Sequence, residues 1–316
     1  MRICMIGTGS IAEDHLDAFK KLGGVEYDTA VSRLQASAEA FATAHGFQRA
    51  TTSVDEALRV GTFDTVVICS PSNVHAAQAD KALRASKHAL IEIPIATNYA
   101  DAERIARLSD ASGKIAMVAH TQRFFPPLIE AKRQIEAGSF HLHHFVARWF
   151  FFRRENINWR GRRRSWTDNL LWHHGCHVVD AALWLFGAES VLASGTLTPP
   201  SEPLQIPMDL NMALRTPQGQ LATIAMSYNS HNPLHEYTLI GEEDTWVYQN
   251  QRLENQNGVI CETDESPMLL QNREFLAAVR ENRPASVSPW EALPTMRVLQ
   301  AVQNQSPHVP IADAVL

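Results

Sequence analysis

Cysteine is scarce in this chain, and the four present, Cys4, Cys69, Cys176 and Cys261, are widely scattered with no C-x-x-C spacing. That pattern argues against a disulfide framework and fits reduced thiols in a cytosolic protein. Long apolar runs are missing too: none approaches the ~18 residues of a membrane-crossing helix. The run in MRICMIGTGS is too short for a signal-peptide core and meets glycines at once. The expected location is the cytoplasm, with no membrane partner. Nor is there an excess of positive charge, since 28 Lys and Arg face 34 Asp and Glu for a formal net charge of −6. No overall field therefore favours nucleic acid. Internal repeats and low-complexity segments are absent. What remains is a 316-residue chain, 45% hydrophobic and 20% charged, which suits one large or two ordinary globular domains.

The first third alternates short apolar runs with helical patterns. ICMIG, EYDTAVS, DTVVICS, HALIEI and KIAMVAH read as buried strands. Residues 11–22, 35–45, 74–85 and 99–111 read as helices, the first stopped by Gly23-Gly24 and the second by Gly46. Strands alternating with helices of this length imply a parallel sheet with right-handed crossovers. After about residue 120 the character changes. A helix over 128–137 stops at Gly138, and HHFVARWFFF is aromatic and β-branched enough for a strand. MDLNMALRT and QLATIAMSY flank a Pro-Gln-Gly turn and alternate apolar with polar residues, as an antiparallel hairpin should. EYTLIGE and TWVYQN extend that pattern, and helices over 267–281 and 289–303 finish the chain. The expected fold class is α/β. A Rossmann dinucleotide-binding domain over 1–122 precedes an α+β domain over 123–316 with an open, largely antiparallel sheet.

Gly7-Thr8-Gly9-Ser10-Ile11-Ala12 is G-x-G-x-x-A between the first strand and the first helix. Gly7 permits the tight turn, Gly9 lets backbone approach a pyrophosphate, and small Ala12 lets helix and strand pack closely. The strand before it and the helix after it give this short pattern its specificity. The second strand ends in Val31-Ser32-Arg33, without the acidic residue that holds a ribose 2′-hydroxyl. A hydroxyl followed by an arginine suits a 2′-phosphate, so NADP is expected ahead of NAD. A solvated surface arginine is the plain alternative.

SWTDNLLWHHGCHVVD carries three histidines. On a straight helix over 171–186, His173 and His177 share a face and His174 is turned about 100° away. Histidines four apart can hold zinc, but Cys176 points to another face and no third ligand is specified, so no metal is expected. Histidine titrates near neutrality, which suits removal of a hydroxyl proton while hydride leaves the same carbon. Asp180 either orients His177 or forms an ordinary helix-surface pair. Arginines are plentiful: Arg123 past the last Rossmann strand, Arg153 and Arg154 after the aromatic strand, and Arg160, Arg162, Arg163 and Arg164 in WRGRRRSW. Their forked donors match carboxylates. Arg123 is expected to face the cofactor crevice, while the plain reading of WRGRRRSW is a solvated basic loop or a subunit contact.

Taken together, the fingerprint, Cys69-Ser70-Pro71-Ser72-Asn73-Val74-His75, Glu92-Ile93-Pro94, and His177-Val178-Val179-Asp180 running to Leu185-Phe186-Gly187 resemble the glucose-fructose oxidoreductase, inositol dehydrogenase and MocA family. The resemblance covers almost the whole chain. It implies hydride transfer at a hydroxyl carbon, a substrate pocket on the C-terminal sheet, and a homodimer or tetramer formed through that sheet. It also implies cofactor contacts from Gly7, Gly9, Ser10, Ile11, Ala12, Ser32, Arg33, Ser70, Pro71, Ser72, His75, Glu92, Ile93 and Pro94, with Pro94 either cis or trans. His177 stands at the family's base. His173 replaces a family aspartate and Ile93 a family lysine, which turns the expectation away from ordinary polyol oxidation.

A subgroup of the family is more specifically resembled through Phe151-Phe152-Arg153-Arg154, Ser165-Trp166-Thr167-Asp168, Leu170-Leu171-Trp172-His173-His174 and His120-Thr121-Gln122-Arg123-Phe124, with Gln122 where a second arginine is expected. That subgroup oxidises the cyclic hemiacetal of a carboxylated ring-cleavage semialdehyde with NADP. The resemblance then implies His177 and His173 as catalytic, and Arg123, Arg153, Arg154, Trp166 and His174 as contacts of a small anionic substrate. Another carboxylated or sugar-derived alcohol, and a non-catalytic NADP-binding regulator, stay open as alternatives.

Overall fold

A computed structural model describes residues 1–164, 166–188 and 190–305. In the first unit, β1 (Arg2–Ile6), β2 (Glu26–Val31), β3 (Arg49–Thr51), β4 (Thr65–Ile68), β5 (His88–Ile91) and β6 (Ala116–Val118) alternate with α1 (Ser10–Leu22), α2 (Gln35–His45), α3 (Val54–Val60), α4 (His75–Arg84) and α5 (Tyr99–Ser112). The six strands form one parallel sheet in the order β3-β2-β1-β4-β5-β6. Helices cover both faces, so the central strands are continuous apolar runs: Val66, Val67 and Ile68 of β4 are fully buried. The strand order reverses between β1 and β4, and Ile6 pairs with both Val31 and Ile68 there. This levels the carboxyl ends of three strands and opens a crevice at the switch point.

The second unit begins with α6 (Pro126–Glu136) and then β7 (Leu142–Phe152), α7 (Cys176–Phe186), β8 (Leu192–Leu197), β9 (Asp209–Arg215), β10 (Leu221–Ser227), β11 (Asn229–Gly241), β12 (Thr245–Gln249), β13 (Arg252–Asn255) and β14 (Gly258–Glu262). Its sheet runs β14-β13-β12-β11-β7-β10-β9-β8. Neighbours are antiparallel except β10, which runs parallel to β7. β9 and β10 form the expected hairpin about the Pro-Gln-Gly turn, with Leu210, Met212 and Leu214 buried opposite Met226, Ile224 and Ala222. The other face of the sheet leaves Leu192, Leu221 and Ile240 exposed.

The chain ends with α8 (Pro267–Glu281) and α9 (Pro289–Asn304). Both return to the first unit: α8 packs on α1, and α9 packs on α5 as well as α7. A buried contact joins the units, with His15 Nδ1 of α1 lying 3.0 Å from Asn272 Oδ1 of α8. Among the described residues the cysteines are free thiols, and no helix is long and apolar enough to cross a membrane.

Candidate active site

The turn after β1 is built for close approach. Gly7 has φ +105°, and a Cβ there would lie 2.4 Å from the Cys69 carbonyl oxygen, so both conformation and space require glycine. Gly9 caps α1 without any side-chain hydrogen bond, and a Cβ on it would meet nothing within 4 Å. The first N–H groups of α1 are thus left for an anion, while Ala12 is packed against the sheet. Thr8 Oγ1 donates to Ser32 Oγ at 3.0 Å, fixing the end of β2, and Arg33 is exposed just beyond it. Ile11, Pro71 and Ser72 are half-buried along the same crevice. These features fit a dinucleotide.

Ser70 and His75, both expected cofactor contacts, also have structural duties. The His75 ring lies between the Ser70 carbonyl oxygen, 2.7 Å from Nε2, and the Pro94 carbonyl oxygen, 2.9 Å from Nδ1. It ties the turn after β4 to the turn after β5, where the Ile93–Pro94 bond is cis. Ser70 Oγ meanwhile donates to Gln78 Oε1 at 2.5 Å. Glu92 is buried, its Oε1 2.8 Å from His15 Nε2, and Ile93 beside it forms an apolar wall.

The expected straight helix over 171–186 does not form. Gly175 N–H donates to the Leu170 carbonyl at 3.0 Å, an i to i+5 bond, so residues 171–175 make one π turn before α7 begins. The wider turn breaks the i, i+4 register and keeps His174 with the other two. Ring centroids of His173 and His174 are 4.5 Å apart, and those of His173 and His177 are 6.0 Å apart. His174 Nδ1 lies 2.5 Å from the Tyr228 hydroxyl. Trp149 of β7 stands 4.4 Å from the His174 ring and stacks at 4.1 Å on His235 of β11.

His120, at the end of β6, joins this cluster from the other unit. Burial lowers the pKa of all five rings, His120 and His235 to about 4, and neighbouring imidazoles push His174 and His177 well down. Burial also lowers His173, opposed by the nearby Asp168 carboxylate. At neutral pH the cluster therefore holds neutral bases. Among the described residues no three His, Cys, Asp or Glu side chains are arranged to hold a metal ion.

Arg123 does not present its fork to the crevice. Its Nε and Nη2 donate to Asp180 at 2.8 and 2.7 Å, and Nη2 also reaches the Glu291 carbonyl at 3.3 Å. Asp180 in turn neither orients His177 nor lies on the surface: it is fully buried and also accepts from Thr295 Oγ1 at 3.2 Å. Burial alone would raise its carboxyl pKa, but Arg123, His120 and these hydrogen bonds carry it below the usual value. A buried carboxylate needs such a partner, and Arg123 supplies it. Gln122 accepts from the Tyr237 hydroxyl at 2.7 Å.

Arg154 is also occupied, donating to the carbonyls of Arg153 and Tyr228 at 2.9 and 3.1 Å and to Asn229 Oδ1 at 2.8 Å. Arg153 differs. It is 8% exposed, donates to Asn156 Oδ1 at 2.9 Å and lies over the Tyr228 ring, yet among the described residues no carboxylate pairs with it. A buried guanidinium without a carboxylate, beside a ring bonded to His174, is a ready anion site.

Residues 1–120 match the family described as "Oxidoreductase family, NAD-binding Rossmann fold", Gfo/Idh/MocA, and residues 128–264 match "Bacterial oxidoreductases, C-terminal". The 4-carboxy-2-hydroxymuconate-6-semialdehyde dehydrogenase of a Sphingobium species is 35% identical over 312 residues, 96% of this chain and 98% of that one. The chain belongs to the Gfo/Idh/MocA oxidoreductase family. A scyllo-inositol 2-dehydrogenase (NADP(+)) of Bacillus subtilis is 24% identical over 99% of both chains. The WlbA dehydrogenase of Bordetella pertussis, solved with NADH and UDP-GlcNAcA, shares the fold with a TM-score of 0.83 at 22% identity, over 96% of each chain.

In this Gfo/Idh/MocA member the basic loop after β7 is exposed to solvent, as its plain reading expects, and it is also tied to α1 by ion pairs. Asn158 Nδ2 donates to Ser10 Oγ at 2.7 Å and Trp159 Nε1 to Asp14 at 3.2 Å. Arg160 pairs with Glu13 at 2.8 Å and with Asp14, and Arg162 pairs with Glu13 at 2.6 Å. Arg163 pairs with Glu155 at 3.1 Å, and Arg164 pairs with Asp168 while lying over the rings of Trp159 and half-buried Trp166. The loop thus straps the first turn of α1 and neutralises carboxylates that would repel a pyrophosphate. A double Arg160→Ala, Arg162→Ala variant is expected to bind the dinucleotide about tenfold more weakly, ~1–2 kcal/mol from several part-exposed pairs. Calorimetric titration should show the wild type approaching the variant as salt is raised; equal affinities at low salt would contradict it.

Several members of the cluster carry weaker sequence signals. His235 falls at an inward position of β11, two before buried Tyr237, and Tyr228 continues the inward series of β10 after Met226. A polar side chain on the apolar phase of a strand is the mark that exposes them.

Proposed function

We propose that this protein oxidises the cyclic hemiacetal of 4-carboxy-2-hydroxymuconate-6-semialdehyde to 2-pyrone-4,6-dicarboxylate, with NADP as the acceptor. The observation that carries this reading is Arg153, a buried guanidinium without a carboxylate, next to a cluster of buried neutral histidines. A substrate carboxylate completes the missing pair and brings the ring against His173 and His174. A histidine of the 173/177 pair takes the hydroxyl proton, which leaves the oxygen electron pair to form the lactone carbonyl. Bound NADP supplies the hydride acceptor at the reacting carbon. Ile93 keeps that side of the crevice dry, where a lysine would bring a charge. The 35% identical relative is named for this substrate. Ser32 and exposed Arg33, in place of an acid, support the 2′-phosphate form of the cofactor.

The test is an absorbance assay with freshly generated semialdehyde and with a panel of polyols and sugars, each with NADP and with NAD. NADPH formation with the semialdehyde is expected; turnover of polyols or sugars alone would overturn the reading. Arg153→Met should raise KM for the dicarboxylated substrate about a hundredfold, ~2–4 kcal/mol for a desolvated charge pair. An unchanged KM would remove Arg153 from the site.

A further inference from the structure

We propose that Asp168 is the positioning residue that makes His173, rather than His177, the proton acceptor. This rests on the reading that a histidine takes the substrate's hydroxyl proton. Asp168 is 2% exposed and its Oδ2 pairs with Arg164. Its Oδ1 has no hydrogen-bond partner, and neither does Nδ1 of His173. The two atoms face each other at 3.9 Å.

Buried polar atoms are rarely left unpaired, and two that face each other across so short a gap are complementary. A swing of the imidazole by about 1 Å brings them to hydrogen-bond distance. Nδ1–H then donates to Asp168, which fixes the tautomer and leaves Nε2 as the base, with a carboxylate behind it to support the imidazolium. Arg164, held over Trp159 and Trp166, keeps that carboxylate from turning away.

His177 has no such support. Its Nδ1 is also without a partner, but Asp180, the carboxylate on its own helix, is engaged by Arg123 and Thr295. Asp180 acts on His177 through charge alone, with no hydrogen bond to its ring, and is outweighed by burial and by the imidazoles of His173, His120 and His235. Glu92, just past the carboxyl end of β5, adds a weaker charge effect at His173 in the same direction as Asp168. The charged and titratable groups facing His173 are Asp168, Arg164, Arg153 and Glu92, with His174 and His177 as ring neighbours.

Asp168→Asn should lower kcat about a hundredfold with little change in KM. It should also move the acid limb of the kcat/KM profile to lower pH, because the removed carboxylate favours the protonated ring. Asp168→Glu should restore part of kcat and return the limb. Independently of any variant or substrate, nitrogen-15 NMR of the wild-type protein, assigned with His173→Gln, should find His173 protonated at Nδ1. An Nε2–H tautomer at His173, or an Asp168→Asn profile whose acid limb stays in place, would overturn the proposal. Absence of semialdehyde turnover by the wild type would refute the substrate assignment and leave the tautomer result to decide this one.

Discussion

His173→Gln is expected to lower kcat by about 10²–10⁴-fold, the usual contribution of a positioned base, while cofactor affinity stays unchanged. Glutamine keeps similar volume and can still donate toward Asp168, but it cannot accept a proton near neutral pH. Its removal leaves the Rossmann crevice intact, because the cradle at Gly7 and the strap on Ser10 are made by other residues. His177→Gln should cost less, since no carboxylate hydrogen-bonds the His177 ring, and its pKa is held well below the ordinary value by burial and by the imidazoles around it. Steady-state kinetics with substrate deuterated at the reacting carbon provide the measurement. Loss in His173→Gln should come with a changed isotope effect, because the proton step has become limiting. A larger loss in His177→Gln would return the base to the position the family resemblance implies.

The first unit was legible because its strands are short apolar runs between helices of regular period, and Gly7 announces a turn that only glycine can make. β3 and α3 escaped: three residues for the strand and seven for the helix are too few to display a period. The π turn left no mark either. Leu170 to Gly175 reads as ordinary helix, and only the bond between those two residues reveals the extra residue that gathers three histidines. Charge partners were the least accessible part. Arg123 and Asp180 are 57 positions apart, and Arg160 meets Glu13 across 147. A single sequence reports that a forked cation is present, but burial elsewhere in the fold decides which carboxylate claims it. Arg153 is left open to an anion because no carboxylate among the described residues is folded against it.

The same buried histidines should make the protein fragile in mild acid. Where the folded pKa of a base is depressed, the unfolded chain binds protons that the native state refuses, and stability falls as pH falls. For His120 and His235 the window runs from the ordinary value of 6.5 down to about 4, with no contribution above it. Burial is the leading cause at both, and at His120 the attraction of Asp180 only partly opposes it. His120 alone then withdraws roughly 3 kcal/mol by pH 4, a large part of a net stability of order 5–15 kcal/mol. His173, His174 and His177 act in the same direction, and each proton that enters makes the next less welcome. Urea unfolding of the protein without cofactor, followed from pH 7.5 to 4.5, should give a midpoint that is flat at first and then drops steeply below about pH 6.5. His120→Gln should flatten part of that drop, since glutamine takes up no proton in this range. A midpoint that holds steady to pH 5 would mean that the cluster admits protons in the folded state, and the neutral bases required for proton abstraction would not be what burial provides.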